Sequence, residues 1–264
     1  MVSVVIVLAL YVPISLSFPV LNIVEAGQSG SEENIDITRN TDNRPIVSVA
    51  NLKVEQVVEN LELPTSMAFL GLNDFLVLEK QGGTVKRVLD GRTLEQPILD
   101  VSVANENERG MLGVVVEKNI DDKSKRNSHT YVYVVFTESE EDGSDDCSSS
   151  VTCKEEGSPI GNRLYRYELV NNELTNPKLL LDLPGTPGPA HNGGALIIGH
   201  DNDIYLTVGD VRCECTQAAN VQEGGRPDGR AGILRITLDG EPVPDGSIIG
   251  ENNPLNLYFA YGIR

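Results

Sequence analysis

His191 and Asp210 are the two residues whose types and spacing best suit acid–base chemistry. The segment between them reads as two short strands, 195–199 and 203–208, around a turn at 200–202. In such a tight antiparallel hairpin the paired residue numbers sum to about 402, so His191 and Asp210 are expected side by side at its open end. A carboxylate that fixes the tautomer of a histidine and stabilises its protonated form is the arrangement of a general base.

The residues around His191 leave its role open at this point. A turn histidine whose ring is satisfied by hydrogen bonds is the simpler interpretation of the same pattern. Gly193 and Gly194 follow, and residues without a Cβ atom let backbone or a flat ligand come close. The hairpin therefore predicts a candidate catalytic pair that needs support from other parts of the chain.

Composition and charge limit the class of partner. The 264 residues are enough for a sizeable core, and 25 Gly, 14 Pro and only 5% aromatic residues favour a turn-rich β domain. A net charge of -18 argues against binding of nucleic acid or anionic lipid, because both are polyanions. A small neutral or metal-bridged ligand fits this charge better.

The N-terminus predicts export. Residues 2–24 contain no charged side chain, which indicates a signal peptide or a membrane anchor over residues 1–26. Val24-Glu25-Ala26 supplies a candidate cleavage site before Gly27. The polar stretch 27–50 is expected to be a flexible linker, and the folded part is expected over 51–264. Any membrane contact is then limited to the possible anchor.

The predicted strands fall into groups of four. The first group is 65–70, 75–79, 84–89 and 98–103; the second is 111–116, 131–136, 163–169 and 178–181; the third is 195–199, 203–208, 232–238 and 257–262. Repeated four-stranded antiparallel meanders indicate an all-β fold, a β-propeller of which about three blades are present. A sandwich built from the same strands is the minor alternative.

The propeller interpretation brings distant polar residues together. Connections between successive blades lie on one face near the central channel, and they carry Glu108, His191 and Arg264 in turn. The connection between second and third strands opens on the same face, which is where Asp210 lies. One axial site built from these four residues is therefore expected.

Five short motifs then resemble, in order, the glucose/sorbosone dehydrogenase family. They are Glu108-Arg109-Gly110-Met111-Leu112-Gly113, His191-Asn192-Gly193-Gly194, Thr207-Val208-Gly209-Asp210, Gly232-Ile233-Leu234-Arg235-Ile236 with Asp239-Gly240, and Tyr261-Gly262-Ile263-Arg264. The resemblance covers residues 51–264. It implies a six-bladed propeller that uses pyrroloquinoline quinone (PQQ) and calcium and passes electrons to an external acceptor.

The resemblance also implies a role for each site residue. His191 matches the base that removes the proton from the anomeric hydroxyl of an aldose while hydride passes to the quinone, which yields a lactone. Asp210 matches the carboxylate that orients this base. Glu108 falls where glucose dehydrogenase has a glutamine that touches substrate and quinone, and Arg264 matches an arginine near the cofactor, where a guanidinium can pair with the carboxylates of PQQ.

Two departures from the family pattern affect these expectations. Ala190 stands where glucose dehydrogenase has an aspartate, which argues against glucose as the substrate. The family pattern would continue beyond Arg264 with three more blades that carry the calcium ligands, so no metal ligand is assigned and this chain alone is expected to be inactive. A non-catalytic extracellular propeller that binds a protein or glycan is the alternative function.

The four cysteines lie on two loops that the propeller would bring together. Cys147 and Cys153 belong to the second blade, and Cys213 and Cys215 to the third. An exported protein favours disulfides between the two loops, and four thiolates on zinc are the alternative. The eight carboxylates within 137–162 predict a solvated acidic insertion.

Overall fold

The computed structural model of the chain describes residues 3–9, 38–39, 45–46, 52–118, 129–140, 158–212 and 227–263. Arg264, the four cysteines and most of the acidic insertion lie outside these ranges, as does the candidate cleavage site after Ala26. The chain divides into two units, Met1–Asn60 and Leu61–Arg264.

The first unit is built on short strand pairs. Strand β1 (Ser3–Ala9) pairs with β4 (Lys53–Leu61), and β2 (Thr38–Arg39) pairs antiparallel with β3 (Pro45–Ile46). Among the described residues, the structure contains no helix that is long and apolar enough to cross a membrane.

Three antiparallel sheets make up the described part of the second unit. The first contains β5 (Pro64–Gly71), β6 (Asp74–Glu79), β7 (Thr84–Leu89), β8 (Arg92–Thr93) and β9 (Leu99–Asp100); the second contains β10 (Met111–Lys118), β11 (Thr130–Ser139), β12 (Pro159–Val170) and β13 (Glu173–Leu183); the third contains β14 (Gly193–Ile198), β15 (Ile204–Val208), β16 (Gly232–Ile236) and β17 (Tyr258–Tyr261). A 3-10 turn, Leu255–Leu257, leads into β17.

Two-residue turns connect several of these strands. Asn73 and Asp90 lie in turns of this kind and have positive φ angles of 57° and 49°. Asn171 and Asn172 form the turn between β12 and β13 with φ angles of 52° and 66°. Asn, Asp and Gly tolerate this left-handed region, so the local sequence selects the tight hairpins that a meander needs.

The first sheet differs from the predicted grouping at its outer edge. The fourth strand, expected over 98–103, is only Leu99–Asp100, and β8 forms an extra hairpin on β7. Val103 leaves the sheet and bridges Glu138 of the second sheet. Pro97, which has no backbone N–H, interrupts the pairing before β9. The other predicted strands are found, with ends that differ by a few residues.

Two apolar clusters hold the three sheets against one another. Strand β11 is buried on both faces. Its alternate side chains point to opposite sides of the strand, so each set packs against a different neighbouring sheet. Val132 and Val134 pack with residues of the first sheet such as Leu76, whereas Tyr133 packs with residues of the third such as Leu206. The second sheet is therefore sandwiched between the other two.

The first strands of the three sheets lie next to one another, since β10 contacts both β5 and β14. At this junction a Cβ on Gly113 would lie 2.0 Å from the carbonyl oxygen of Gly194. Sheets that stack face to face around adjacent inner strands form the predicted all-β propeller of antiparallel blades, of which the second and third have four strands and the first has the additional short strand β8. This arrangement gathers the connections before β10 and β14, where Glu108 and His191 lie.

Candidate active site

The hairpin of β14 and β15 has the register that the sequence predicts. Leu196 faces Leu206 and Ile198 faces Ile204, so the paired numbers sum to 402. A bulge between Gly193 and Leu196 shifts the register by one residue, and Gly193 faces Val208. Bulges bend a strand and change the direction of the residues beyond them. This bulge therefore changes the direction of the open end of the hairpin and of the residues it carries.

His191 and Asp210 are in contact at this open end. The distance from His191 Nδ1 to Asp210 Oδ1 is 2.8 Å. The Asp210 side chain is 0% exposed, whereas that of His191 is 21% exposed. Nδ1 faces the carboxylate, so Nε2 lies on the other side of the ring. The juxtaposition predicted from the hairpin is confirmed, and its geometry suits an imidazole that accepts a proton at Nε2.

Glu108 joins the pair from the connection between β9 and β10. Its Oε2 accepts a hydrogen bond from the backbone N–H of His191, and its own N–H donates to the carbonyl of Pro189 at 3.2 Å. The side chain of Glu108 is exposed. Three of the four predicted site residues therefore converge, and the fourth, Arg264, lies outside the described residues.

The backbone at the site is held in uncommon conformations. His191, Val211 and Ala231 have positive φ angles of 57°, 55° and 59°. This region is costly for a β-branched residue such as Val211 and persists where surrounding contacts enforce it. The N–H of Val211 donates to the carbonyl of His191 at 3.2 Å, and the N–H of Ala231 donates to that of Gly209 at 2.9 Å. These bonds fix the backbone on both sides of Asp210.

A chain of buried polar side chains supports the loop that carries His191. The hydroxyl of Thr137 donates to Asn162 Oδ1 at 2.6 Å, and Asn162 Nδ2 donates to Asn192 Oδ1 at 3.1 Å. Asn192 Nδ2 in turn donates to the carbonyl of Pro189 at 2.7 Å. All three side chains are almost fully buried. They position His191 through the backbone on both sides of it, a role that sequence analysis missed.

Arg109 binds the backbone of the same loop. Its Nη2 donates to the carbonyls of Gly185 and Gly188 at 2.7 and 3.2 Å, and Nη1 donates to Glu106. Burial lowers the pKa of Arg109, and the nearby charge of Glu106 opposes this shift. The guanidinium donates hydrogen bonds to the backbone of residues 185–188 and so stabilises the conformation of the loop. The sequence signal for it is its position beside Glu108 in the first motif.

Arg230 lies beside Asp210, and the sequence analysis did not identify it. Its Nη1 donates to the carbonyl of Asp210 at 3.4 Å and to that of Thr186 at 3.1 Å. Its Nε and Nη2 donate to the carboxylate of Asp228, the latter at 2.6 Å. No sequence motif marks this residue, because its relation to Asp210 depends on how the chain returns after β15.

The described residues can be compared with the calcium and the quinone that the resemblance implies. Within the described ranges no three His, Cys, Asp or Glu side chains are grouped as a metal ion would need. Oxidation of a hydroxyl by a quinone needs a proton acceptor, and the His191–Asp210 pair has the geometry of one, so this part of the site is compatible with such a cofactor.

A family model described as glucose/sorbosone dehydrogenase matches residues 61–264 of the chain. The aldose sugar dehydrogenase YliI of Escherichia coli K12 is 23% identical over 220 residues, which is 81% of this chain and 52% of the relative.

Solved structures also match this chain. The PQQ-bound form of an aldose sugar dehydrogenase from Streptomyces coelicolor matches with 25% identity and a TM-score of 0.52 over 76% of this chain and 51% of that one. A putative oxidoreductase, glucose dehydrogenase, from Thermus thermophilus matches with 24% identity and a TM-score of 0.58 over 78% and 54%. The chain spans about half the length of the relatives it matches.

Proposed function

Because the chain belongs to the glucose/sorbosone dehydrogenase family, we propose that it carries the catalytic base of a PQQ-dependent aldose dehydrogenase. Membership confirms the resemblance that the five motifs indicate. The single observation that carries the proposal is the 2.8 Å contact between a fully buried carboxylate and a partly exposed imidazole.

The reaction removes one hydrogen from the anomeric carbon and one from the hydroxyl group on that carbon. His191 takes the proton of the anomeric hydroxyl at Nε2 while the C–H hydrogen leaves as hydride, and the sugar becomes a lactone. Bound PQQ supplies the electrophilic carbon that accepts the hydride. Asp210 stabilises the imidazolium that forms on His191 and keeps Nδ1 as the donor to its carboxylate, so that the lone pair of Nε2 stays directed away from it.

Glu108 and Arg264 complete the proposed substrate and cofactor contacts. The exposed carboxylate of Glu108 is held next to His191 by the N–H of that residue, where it can accept a hydrogen bond from a sugar hydroxyl. Arg264 is assigned to a carboxylate of the quinone, since a guanidinium forms bidentate pairs with such groups. Calcium is part of the proposal, and no ligand for it is assigned among the described residues.

Ala190 bears on which aldose is oxidised. It is 6% exposed and immediately precedes His191. A buried methyl group offers no hydrogen bond to a sugar, so recognition of the ring hydroxyls falls to other residues. We propose a substrate class of aldoses other than glucose, oxidised outside the cytoplasm, with the electrons passed to an external acceptor.

The test is sugar-dependent reduction of a dye by the protein expressed from its complete coding sequence and supplied with PQQ and calcium. His191→Ala is expected to lower kcat by about 10²- to 10⁴-fold, since a general base contributes that much, while PQQ still binds. Asp210→Asn is expected to cause a smaller loss.

His200→Ala is the matched control, because His200 is exposed in the turn of the same hairpin. It should keep the wild-type rate. A His191→Ala protein that reduces the dye at the wild-type rate would remove the catalytic assignment, and a protein that oxidises no aldose with PQQ bound would remove the proposed function.

A further inference from the structure

The buried carboxylate of Asp210 has more than one positively polarised neighbour. His191 Nδ1 lies 2.8 Å from Oδ1, and the N–H of Arg212 donates to the same oxygen at 3.3 Å. The guanidinium of Arg230 is close enough to donate to the backbone carbonyl of Asp210. A charge removed from water is costly unless nearby charges and donors compensate it, so each of these neighbours affects how Asp210 behaves.

Arg230 is fixed in this position by several independent contacts. Asp228 receives hydrogen bonds from its Nε and Nη2, and the carbonyl of Thr186 receives one from Nη1. The backbone is held as well, because the hydroxyl of the fully buried Tyr258 donates to the carbonyl of Arg230 at 2.7 Å and accepts from the N–H of Gly229 at 2.8 Å. The guanidinium therefore cannot turn away from Asp210 without breaking several bonds.

The charge of Arg230 is permanent. Hydrogen bonding to Asp228 raises the pKa of Arg230 against the opposing effect of burial, and the charges of Asp228 and Asp210 raise it further. Its donors are directed at protein carbonyls and at Asp228, which suits an electrostatic role better than contact with a ligand.

We propose that Arg230 is a positioning residue that keeps Asp210 ionised and limits the proton affinity of the His191 imidazole. A fixed positive charge beside Asp210 stabilises the carboxylate and opposes a second positive charge on His191. Removal of Arg230 takes one positive charge away from the buried carboxylate, so the proton on the neighbouring imidazole is held more firmly. A protonated His191 cannot take a proton from a sugar.

The charged groups around His191 act in both directions. Asp210 lies against Nδ1, and Glu108 accepts from the backbone N–H, so both favour the protonated ring. Arg230 opposes them, and Asp228 partly neutralises Arg230. Removing the positive member and removing its negative partner should therefore move His191 in opposite directions, which separates an electrostatic role from a purely structural one.

The test follows the ring protons of His191 by NMR as a function of pH in the full chain without cofactor. The sequence contains three histidines, so the His191 signal can be assigned by its loss in His191→Ala. Arg230→Met is expected to raise the titration midpoint by about one pH unit, and Asp228→Asn is expected to lower it.

Arg235→Met is the matched control. Arg235 lies on β16 and is also bonded to two carboxylates, Asp201 and Asp203, but at the turn end of the hairpin. Charges that far from His191 are screened by salt, so its midpoint should not move.

An unchanged or lower midpoint in a folded Arg230→Met protein would overturn the proposal. If that variant does not fold, an unchanged or raised midpoint in Asp228→Asn would overturn it.

The catalytic consequence rests on the proposed function: the acid limb of the kcat/KM profile should move to higher pH in Arg230→Met. A moved midpoint without aldose oxidation would remove the function and keep the role of Arg230. Aldose oxidation with an unchanged midpoint would remove the role of Arg230 and keep the proposed function.

Discussion

Gly209 lies so close to His191 that no side chain fits between them. A Cβ atom on Gly209 would be 2.0 Å from the carbonyl oxygen of His191 and 3.1 Å from its Cβ atom. Gly209 immediately precedes Asp210, so the absence of a side chain at this position lets the carboxylate reach the imidazole. The glycine is needed here for close approach rather than for its backbone angles.

Gly209→Ala is expected to separate His191 from Asp210, because the backbone of one strand end has to move by more than an ångström. We expect a loss of about 2 kcal/mol or more in the free energy of unfolding, as for other substitutions that force steric overlap, and a large loss of turnover. Denaturant unfolding and the dye assay measure the two effects.

Gly71→Ala is the control for this substitution. The nearest atom to its Cβ would be 3.7 Å away, which is an ordinary contact. If Gly209→Ala were as stable and as active as Gly71→Ala, the close approach would not matter.

The buried amide of Asn162 is expected to matter for stability. Asn162→Leu removes the acceptor for the hydroxyl of Thr137 and the donor to Asn192 while it keeps a similar volume. Buried polar groups left without partners cost about 1–3 kcal/mol each, so a loss of about 2–4 kcal/mol is expected by denaturant unfolding. The exposed Asn252 supplies the control, and an Asn252→Leu protein of equal stability loss would contradict the role of the buried chain.

Stability is expected to fall in alkali because of buried phenols. Burial, followed by a hydrogen bond to Glu138, raises the pKa of Tyr165 to about 12. Burial also raises the pKa values of Tyr133 and Tyr258. A pKa that is higher in the folded state contributes stability that is complete below the unfolded value and is lost as pH rises through the folded one. The loss should therefore begin near pH 10, the ordinary value, and continue through about pH 12.

Thermal unfolding measured across this range tests the prediction. Tyr165→Phe keeps a ring to stack on Phe136 and removes the ionising group, so its stability should fall less steeply with pH. A wild-type protein with constant stability from pH 9 to about 12 would contradict the prediction.

Disulfides between the two cysteine loops stay a prediction, since all four cysteines lie outside the described residues. Non-reducing peptide mapping should find Cys147 or Cys153 joined to the peptide that contains Cys213 and Cys215. A Cys213–Cys215 bridge would close a very small strained ring and is not expected. Four free thiols, or a bridge confined to one loop, would contradict the prediction.

Local patterns in the sequence were enough to predict the strands and the central pair. Strand alternation has a period of two and a tight turn sets the register of a hairpin, so the spacing of His191 and Asp210 implies their contact. The grouping of strands also predicted that Glu108 lies near them. These inferences work because each depends on residues that are close in the sequence or on a repeat.

Only the tertiary structure revealed what supports the pair. The bulge after Gly193, the buried bonds from Asn162 to Asn192, and the guanidinium of Arg230 beside Asp210 all join segments that different sheets or returning loops bring together. Such contacts depend on how whole sheets pack, and no spacing along the chain encodes them. The sequence by itself therefore determined which groups could perform the chemistry, while the packing of the sheets decided how their charge and orientation are controlled.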